Sequence, residues 1–435
     1  MSEKIVEVET AAGSWLRDAF VIAALLVFSN GPLIFVAGHV LAGSTQWEDA
    51  PVRQVFAFSA FLAALAVALD SQRLGNRRLT RPPFVAAAAV LAFCLMIACS
   101  SFWSVEPALT RGRSVIYFGL AALAWIIADL GWQRVRSVLL VVLALLLGAS
   151  LVVVLLSNPI GLDQNGDWRG LFGRSNELAA LAGLAILIGL PTAWATRGRT
   201  RVLAGVVAVL GVVLLVNANS ITVWVGFFGA VVVASLVWCS AVGLINYRRW
   251  AVRGAFGAGV VALVGAVVVV WNSSVLASRR DLWGAVWDRI TEAPVLGYGW
   301  FTVWDTEDFS AVAGFAGSDS ANNSFLEVWL GAGLLAVVPF VVVVALALWR
   351  ACQALWRSPN WDTWTWMVIV VYLALLNLTL SFVLGFSYVW VLLMSAALQQ
   401  PKSRSRDGVP QHVPQYRGAA GRARPAAKRP PSRSN

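Results

Sequence analysis

The sequence predicts an all-α, polytopic membrane protein with about 12 transmembrane helices and one long extracytoplasmic loop. Three observations carry that class. The 435-residue chain is 59% apolar and 13% charged, against about 25% charged in a soluble domain. Apolar runs of about twenty residues, the length that crosses a bilayer, recur along most of it. The runs are continuous, whereas the strands of a membrane β-barrel alternate polar with apolar.

Residues 1–18 form a cytoplasmic N-terminal segment, in which Glu3, Glu7 and Glu9 give the wrong charge for a cleavable signal peptide. Spans follow at 19–42, 54–69, 84–100, 114–130, 137–157, 177–195, 202–217, 221–240 and 252–271, together the region 19–271. Residues 272–324 are the loop, and 325–398 holds the spans 325–349, 364–383 and 386–398. The last two read equally well as one broken span. Residues 399–435, rich in Pro, Arg and Ser, predict a disordered basic cytoplasmic tail. Cys94, Cys99, Cys239 and Cys352 lie in or beside apolar runs, so neither a disulfide framework nor a metal site is indicated.

Arginines set the orientation. Arg73, Arg77, Arg78 and Arg81, then Arg134 and Arg136, Arg197, Arg199 and Arg201, Arg248, Arg249 and Arg253, and Arg350 and Arg357 crowd alternate connectors. The positive-inside rule places those connectors and both termini in the cytoplasm, and loop 272–324 outside the cell membrane. The net charge of +11 therefore reports topology, with membrane lipid as the surrounding partner and no nucleic acid implied.

The loop is longer than a plain connector needs to be. Its aromatics, from Trp283 to Phe315, argue against disorder. Leu282, Trp283, Val286, Trp287 and Ile290 share one helical face, which predicts a short amphipathic helix lying on the outer interface. Arg279 and Arg280 sit at its N-terminal end, where free backbone N–H groups favour anions. Pro294 closes the helix, and Gly297 and Gly299 permit a tight turn. Trp300, Phe301 and Trp304 offer flat faces to sugar rings, or equally an interfacial belt. Ser324 and Glu327 have the spacing of a capping box. Asn322 and Asn323 before them read either as helix-start residues or as amides offered to a ligand.

Away from their ends the spans contain no Asp, Lys or Arg, although ion-coupled transport usually needs buried charge. No internal repeat of the transporter kind is visible. The outer connectors instead collect Arg111, Arg113, Arg169, Arg174, Arg279, Arg280 and Arg289. A guanidinium grips phosphate oxygens with a planar fork and keeps its charge. Several converging at the membrane boundary suit the diphosphate of a lipid headgroup. Each taken singly fits snorkelling, or pairing with Asp281 or Asp288, as well.

Five elements in order resemble the O-antigen ligase/O-antigen polymerase family, which includes exopolysaccharide polymerases. Ser101-Phe102-Trp103-Ser104-Val105-Glu106-Pro107 is similar to its S-x-W-S-x-D-P element, and Gly170 to Ala179 to its G-x-F-x-x-x-N-x-L-A element. Ser220-Ile221-Thr222 stands where the family has a Ser/Thr-rich, Arg-containing start to a span. Arg279 with Trp283 and Pro294 to Gly299 resembles R-x-x-x-W…P-L-x-G-x-G, and Ala321 to Leu335 resembles A-H-N-x-x-L-x…G-L-L-G. The resemblance implies a metal-independent, cofactor-free glycosyltransferase. Its partners would be a polyprenyl-diphosphate-linked oligosaccharide donor and a glycan acceptor, whose hydroxyl displaces the diphosphate at the anomeric carbon with inversion. Arg279, Arg280 and Arg174 would hold the diphosphate. Asn323, Trp300, Trp304 and Asn176 would meet sugar.

This chain departs from the pattern at two positions. Asn322 replaces the family histidine, and Ile221 stands where an Arg is frequent. The chain's two histidines, His39 and His412, lie far from that position in sequence. Asn322, Asp319 and Glu327 are the catalytic candidates, with Asp305, Glu307 and Asp308 as further acidic groups in the loop. General-base help typically contributes about 10²–10⁴-fold, so losing the histidine leaves the reaction class intact. A cell-wall glycan polymerase, a lipid or glycan transporter and an inactive relative are the competing classes.

Overall fold

The computed structural model describes residues 2–32, 35, 55, 57–62, 83–156, 160–163, 165–242, 274–305, 320–383 and 387–399. Among them the secondary structure is helical, with no strand. The helices are α1 (Ser2–Val27), α2 (Phe84–Cys99, extended by a 3₁₀ turn at Ser100–Phe102), α3 (Pro107–Leu130), α4 (Trp132–Leu156), α5 (Ser175–Ala195) and α6 (Arg199–Asn217). Then come α7 (Ile221–Ala241), α8 (Ser274–Glu292), α9 (Ser324–Arg357), α10 (Trp361–Leu376) and α11 (Tyr388–Leu398). Seven of these, α2 to α7 and α9, are long and apolar enough to cross a membrane, and α10 and α11 are shorter apolar helices. The predicted span 252–271, most of 54–69, the tail beyond Gln399, His39 and Asp319 lie outside the described residues.

The lipid-facing character is visible in α6. Its outward valines, Val202, Val206, Val209, Val213 and Val216, recur at helical spacing and are all exposed. A helix apolar all round is at home in hydrocarbon. By contrast α5 is nearly enclosed, packed on α6, α10, α4 and α7. On the other side α9 packs on α2 and α11, and α11 on α3. Three ion pairs tie helices together at one end of the bundle: Arg17–Asp129 at 3.1 Å, Arg134–Asp18 at 2.8 Å, and Arg136–Asp362. Those arginines do more than mark topology.

Two boundaries correct the sequence reading. The N-terminal segment 1–18 is helical from Ser2 and runs unbroken into the first apolar stretch, stopping at Val27. The backbone then turns at Asn30 (φ 70°), so 19–42 is no continuous span; asparagine is among the few residues that adopt this conformation routinely. The stretch 325–349 belongs to the 34-residue helix α9, but Gly333 breaks it (φ 70°, ψ −178°) into a short first part and a long second one. A side chain there would put its Cβ 2.1 Å from the Val295 carbonyl oxygen, so only glycine fits.

Candidate functional site

The site begins where two broken helices meet. Asn323 is the N-cap of α9, its side-chain oxygen accepting from the N–H groups of Phe325 (2.9 Å) and Leu326 (3.3 Å). The expected Ser324–Glu327 capping box does not form, because asparagine caps at least as well as serine and Ser324 is engaged elsewhere. Its hydroxyl lies 2.6 Å from the Asn377 side-chain oxygen and 3.0 Å from the Leu380 carbonyl, with one proton to give, while its N–H donates to the Asn377 carbonyl (2.9 Å). These partners belong to the non-helical link between α10 and α11. The last apolar stretches are therefore two separate short helices, and the described residues that follow α10, 377–383, are non-helical. Irregular backbone at such depth is tolerated where protein satisfies its polar groups.

Glu327, one turn into α9, is 2% exposed. Its carboxylate accepts from the Ala321 N–H, the Ser381 hydroxyl (3.0 Å) and the Trp304 indole (2.9 Å). Ser381 also accepts from the Asn323 N–H at 3.0 Å. Three donors on one carboxylate make Glu327 a clamp on residues 321–323. Asn322 is held within this clamp at φ 49°, its amide nitrogen 3.4 Å from the Ser320 carbonyl. Asparagine adopts this left-handed backbone routinely, as at Asn30.

Helix α8 runs against this loop. It is longer than the predicted 282–290 segment, and its apolar face is covered by protein. Leu282, Val286 and Ile290 bury against Val303, Ala321 and Leu330. The Trp283 indole donates to the Ala321 carbonyl at 2.7 Å, beside Asn322. One turn earlier, Arg279 donates to the Thr379 carbonyl at 3.0 Å, and among the described residues that is its one hydrogen bond. Burial pulls its pKa down, and the positive charge of Arg174 pulls it further. The charge of Arg174, which precedes the first turn of α5, is thus felt at part-buried Arg279. Arg280 is exposed.

Asn176, in the first turn of α5, accepts from the Ser220 hydroxyl, which also lies 3.2 Å from the Thr222 hydroxyl. The second and third sequence elements are therefore joined at the starts of α5 and α7. Arg169 is spent on carbonyls of its own loop, Ile160 at 3.1 Å and Gly173 at 3.5 Å. Arg113 is 1% exposed, bound to the Phe301 carbonyl and with its guanidinium 4.5 Å from the Phe301 ring centre. Both hold carbonyls of the protein.

The two tryptophans expected to meet sugar differ in their surroundings. Trp300 is fully buried among Phe93 (6.1 Å) and Tyr117 (5.3 Å), inside the helical bundle. Trp304 is half-buried and aims its indole at Glu327. The turn 294–299 interlocks with the break in α9: the N–H groups of Tyr298 and Gly299 reach the Leu330 and Gly331 carbonyls at 3.0 and 2.8 Å. Gly299 (φ 108°) leaves no room for a side chain, since a Cβ would lie 2.0 Å from the Ser104 hydroxyl.

Thr379, Ser381 and Asn377 were not legible as site residues. A signal existed: Asn377, Thr379 and Ser381 alternate with leucine or phenylalanine inside an otherwise apolar span. That two-residue period is foreign to a helix. Among the described residues no group of His, Cys, Asp or Glu is placed to hold a metal. Comparison with protein-family models and with curated proteins finds no match to this chain.

Proposed function

We propose that the protein is a membrane glycosyltransferase that transfers or polymerises saccharide units from a polyprenyl-diphosphate carrier at the outer face of the cell membrane. The observation that carries this reading is Arg279, a part-buried cation that spends one N–H on the Thr379 carbonyl, one turn before the Trp283 indole that ties α8 to the Asn322 loop. A guanidinium fork matches the oxygens of a diphosphate and keeps its charge. Four of the five N–H donors of Arg279 are left for a ligand once Thr379 is served. Exposed Arg280 adds positive charge nearby. The distribution of arginines along the sequence supports placing this end outside and both termini in the cytoplasm.

In this mechanism Arg174 and Arg279 hold the diphosphate while Asn322 orients the acceptor sugar. The acceptor oxygen bonds the anomeric carbon from the face opposite the leaving group. The carbon–oxygen bond to the diphosphate breaks, and the lipid diphosphate leaves with the electron pair. The guanidiniums neutralise the charge that develops there, and the hydroxyl proton passes to Asp319 or to solvent. Asn176, tied to Ser220, and capping Asn323 shape the walls of the site.

A second reading, an inactive relative that binds the carrier without turnover, is favoured by the saturated carboxylate of Glu327 and by Asn322 standing at the family's histidine position. Full-length protein in vesicles with a polyprenyl-diphosphate-linked oligosaccharide decides between them. Chain growth is expected, and Arg279→Gln is expected to reduce it about 10²–10³-fold, the scale seen on removing one charge-stabilising donor. Growth at the unaltered rate in that variant would remove the clamp. Binding with no growth in the parent protein would establish the second reading.

A further inference from the structure

We propose that the turn 294–299, with the outer edge of α8 and the first turn of α9 beyond Gly333, is a lipid-binding surface seated at the headgroup–hydrocarbon boundary rather than a water-facing loop.

Several backbone groups of the turn are served by protein. The Gly297, Tyr298 and Gly299 N–H groups donate to the Ala293, Leu330 and Gly331 carbonyls at 3.0, 3.0 and 2.8 Å. The Pro294 carbonyl accepts from the Leu334 N–H (3.0 Å) and from the Trp329 indole (2.8 Å). The Leu296 carbonyl accepts from the Trp103 indole (2.7 Å), and the Tyr298 carbonyl from the Val105 N–H (3.0 Å). Indole caps on the Pro294 and Leu296 carbonyls suit a turn at the membrane interface, where a bare carbonyl costs more than it does in water.

The side chains agree. Phe102 is 86% exposed, Val295 51%, Trp287 48% and Leu296 43%. The hydrogen bonds above and the edge contact of Trp287 on Trp329 (5.4 Å between ring centres) gather them into one patch. The patch does not end at the loop. It runs into exposed Leu334, Leu335, Val338 and Val341 on α9, and into Leu91 and Leu95 on the adjacent α2. Those helices are long and apolar enough to span, so the patch continues the surface they present to lipid. A polar border marks its upper limit: Arg289 pairs with Glu292 at 3.1 Å, and the Tyr298 hydroxyl donates to Glu292 at 2.9 Å. Indoles at headgroup depth and charges just above them are the usual order at a membrane interface.

The test places nitroxide labels on the full-length protein in phosphatidylcholine/phosphatidylglycerol vesicles, with Cys99, Cys239 and Cys352 replaced by alanine. Labels go at Leu296→Cys, Val295→Cys and Trp287→Cys, with Glu292→Cys as the border control. Collision with oxygen, which concentrates in lipid, is compared with collision with a water-soluble nickel chelate. The oxygen-to-nickel ratio is expected to be several-fold higher at 296, 295 and 287 than at 292. Equal ratios at 296 and 292 would show a water-facing turn and overturn the proposal. Low collision with both agents would mean that a second copy or another protein covers the patch, and would overturn it too. The three positions are independent, so failure of one variant to fold leaves the comparison intact.

Discussion

Glu327→Gln isolates the clamp. The carboxylate takes the Ala321 N–H and the Ser381 hydroxyl on Oε1 and the Trp304 indole on Oε2, in a site 2% exposed. A glutamine that keeps its oxygen at the first position turns an NH₂ toward the indole N–H, donor facing donor. Leaving one buried donor unsatisfied costs about 1–3 kcal/mol, and weakening the other two bonds by removing their charge adds to that. The opposite orientation strands two donors and is worse. Trp304→Phe removes the donor that glutamine cannot serve, so Glu327→Gln should cost about 1–3 kcal/mol less in that background. Thermal unfolding of the purified full-length protein in detergent, for parent, both single variants and the double, closes the cycle. Additivity within about 0.5 kcal/mol would refute the clamp, because it is what independent sites show.

Three other outcomes follow from the geometry. Gly333→Ala should destabilise by about 1–3 kcal/mol from the left-handed backbone alone, more with the clash on the Val295 carbonyl; Gly284→Ala, in open space on α8, should gain about 0.5–1 kcal/mol, and unfolding midpoints compare the two. Inorganic diphosphate should raise the unfolding midpoint of the parent protein, by about 2.7 kcal/mol of stability at a hundredfold excess over Kd, and the shift should vanish in Arg279→Gln and shrink with salt; an equal shift in that variant would place the anion elsewhere. The Tyr298 hydroxyl, then Arg289, hold the Glu292 carboxyl below its usual 4.5. Their contribution is therefore full above that pH and lost as the pH falls through the depressed value, which hydrogen exchange of residues 289–298 should show and Tyr298→Phe should blunt.

The long spans were legible because hydropathy reads directly what a bilayer demands. Where the ends moved, polar residues outside the apolar window had joined the helix: Pro107, fitted to a first helical position, starts α3 seven residues before the expected 114. The break at Gly333 was hidden because Gly331 and Gly333 sit in a run whose composition is otherwise helical. The burial of Trp300 could not be read either, since it depends on Phe93 and Tyr117, far away in sequence. In the site, Arg174 and Arg279 were named by type and by resemblance; that the charge of one is felt at the other is a property of the fold. Glu327 was named for its charge, and the donors that occupy it came from Trp304 and from a turn inside what looked like a plain span.

Trp300 gives the loop a root. Its indole ring lies among aromatics of α2 and α3, and the neighbouring Phe301 is gripped by Arg113 of α3. Residues 299–302 are therefore moored inside the bundle and travel with it as one body. An excised peptide of residues 272–324 would lack the sockets that shape it, so antibodies or binders raised against such a fragment should fail to recognise the intact protein at this surface.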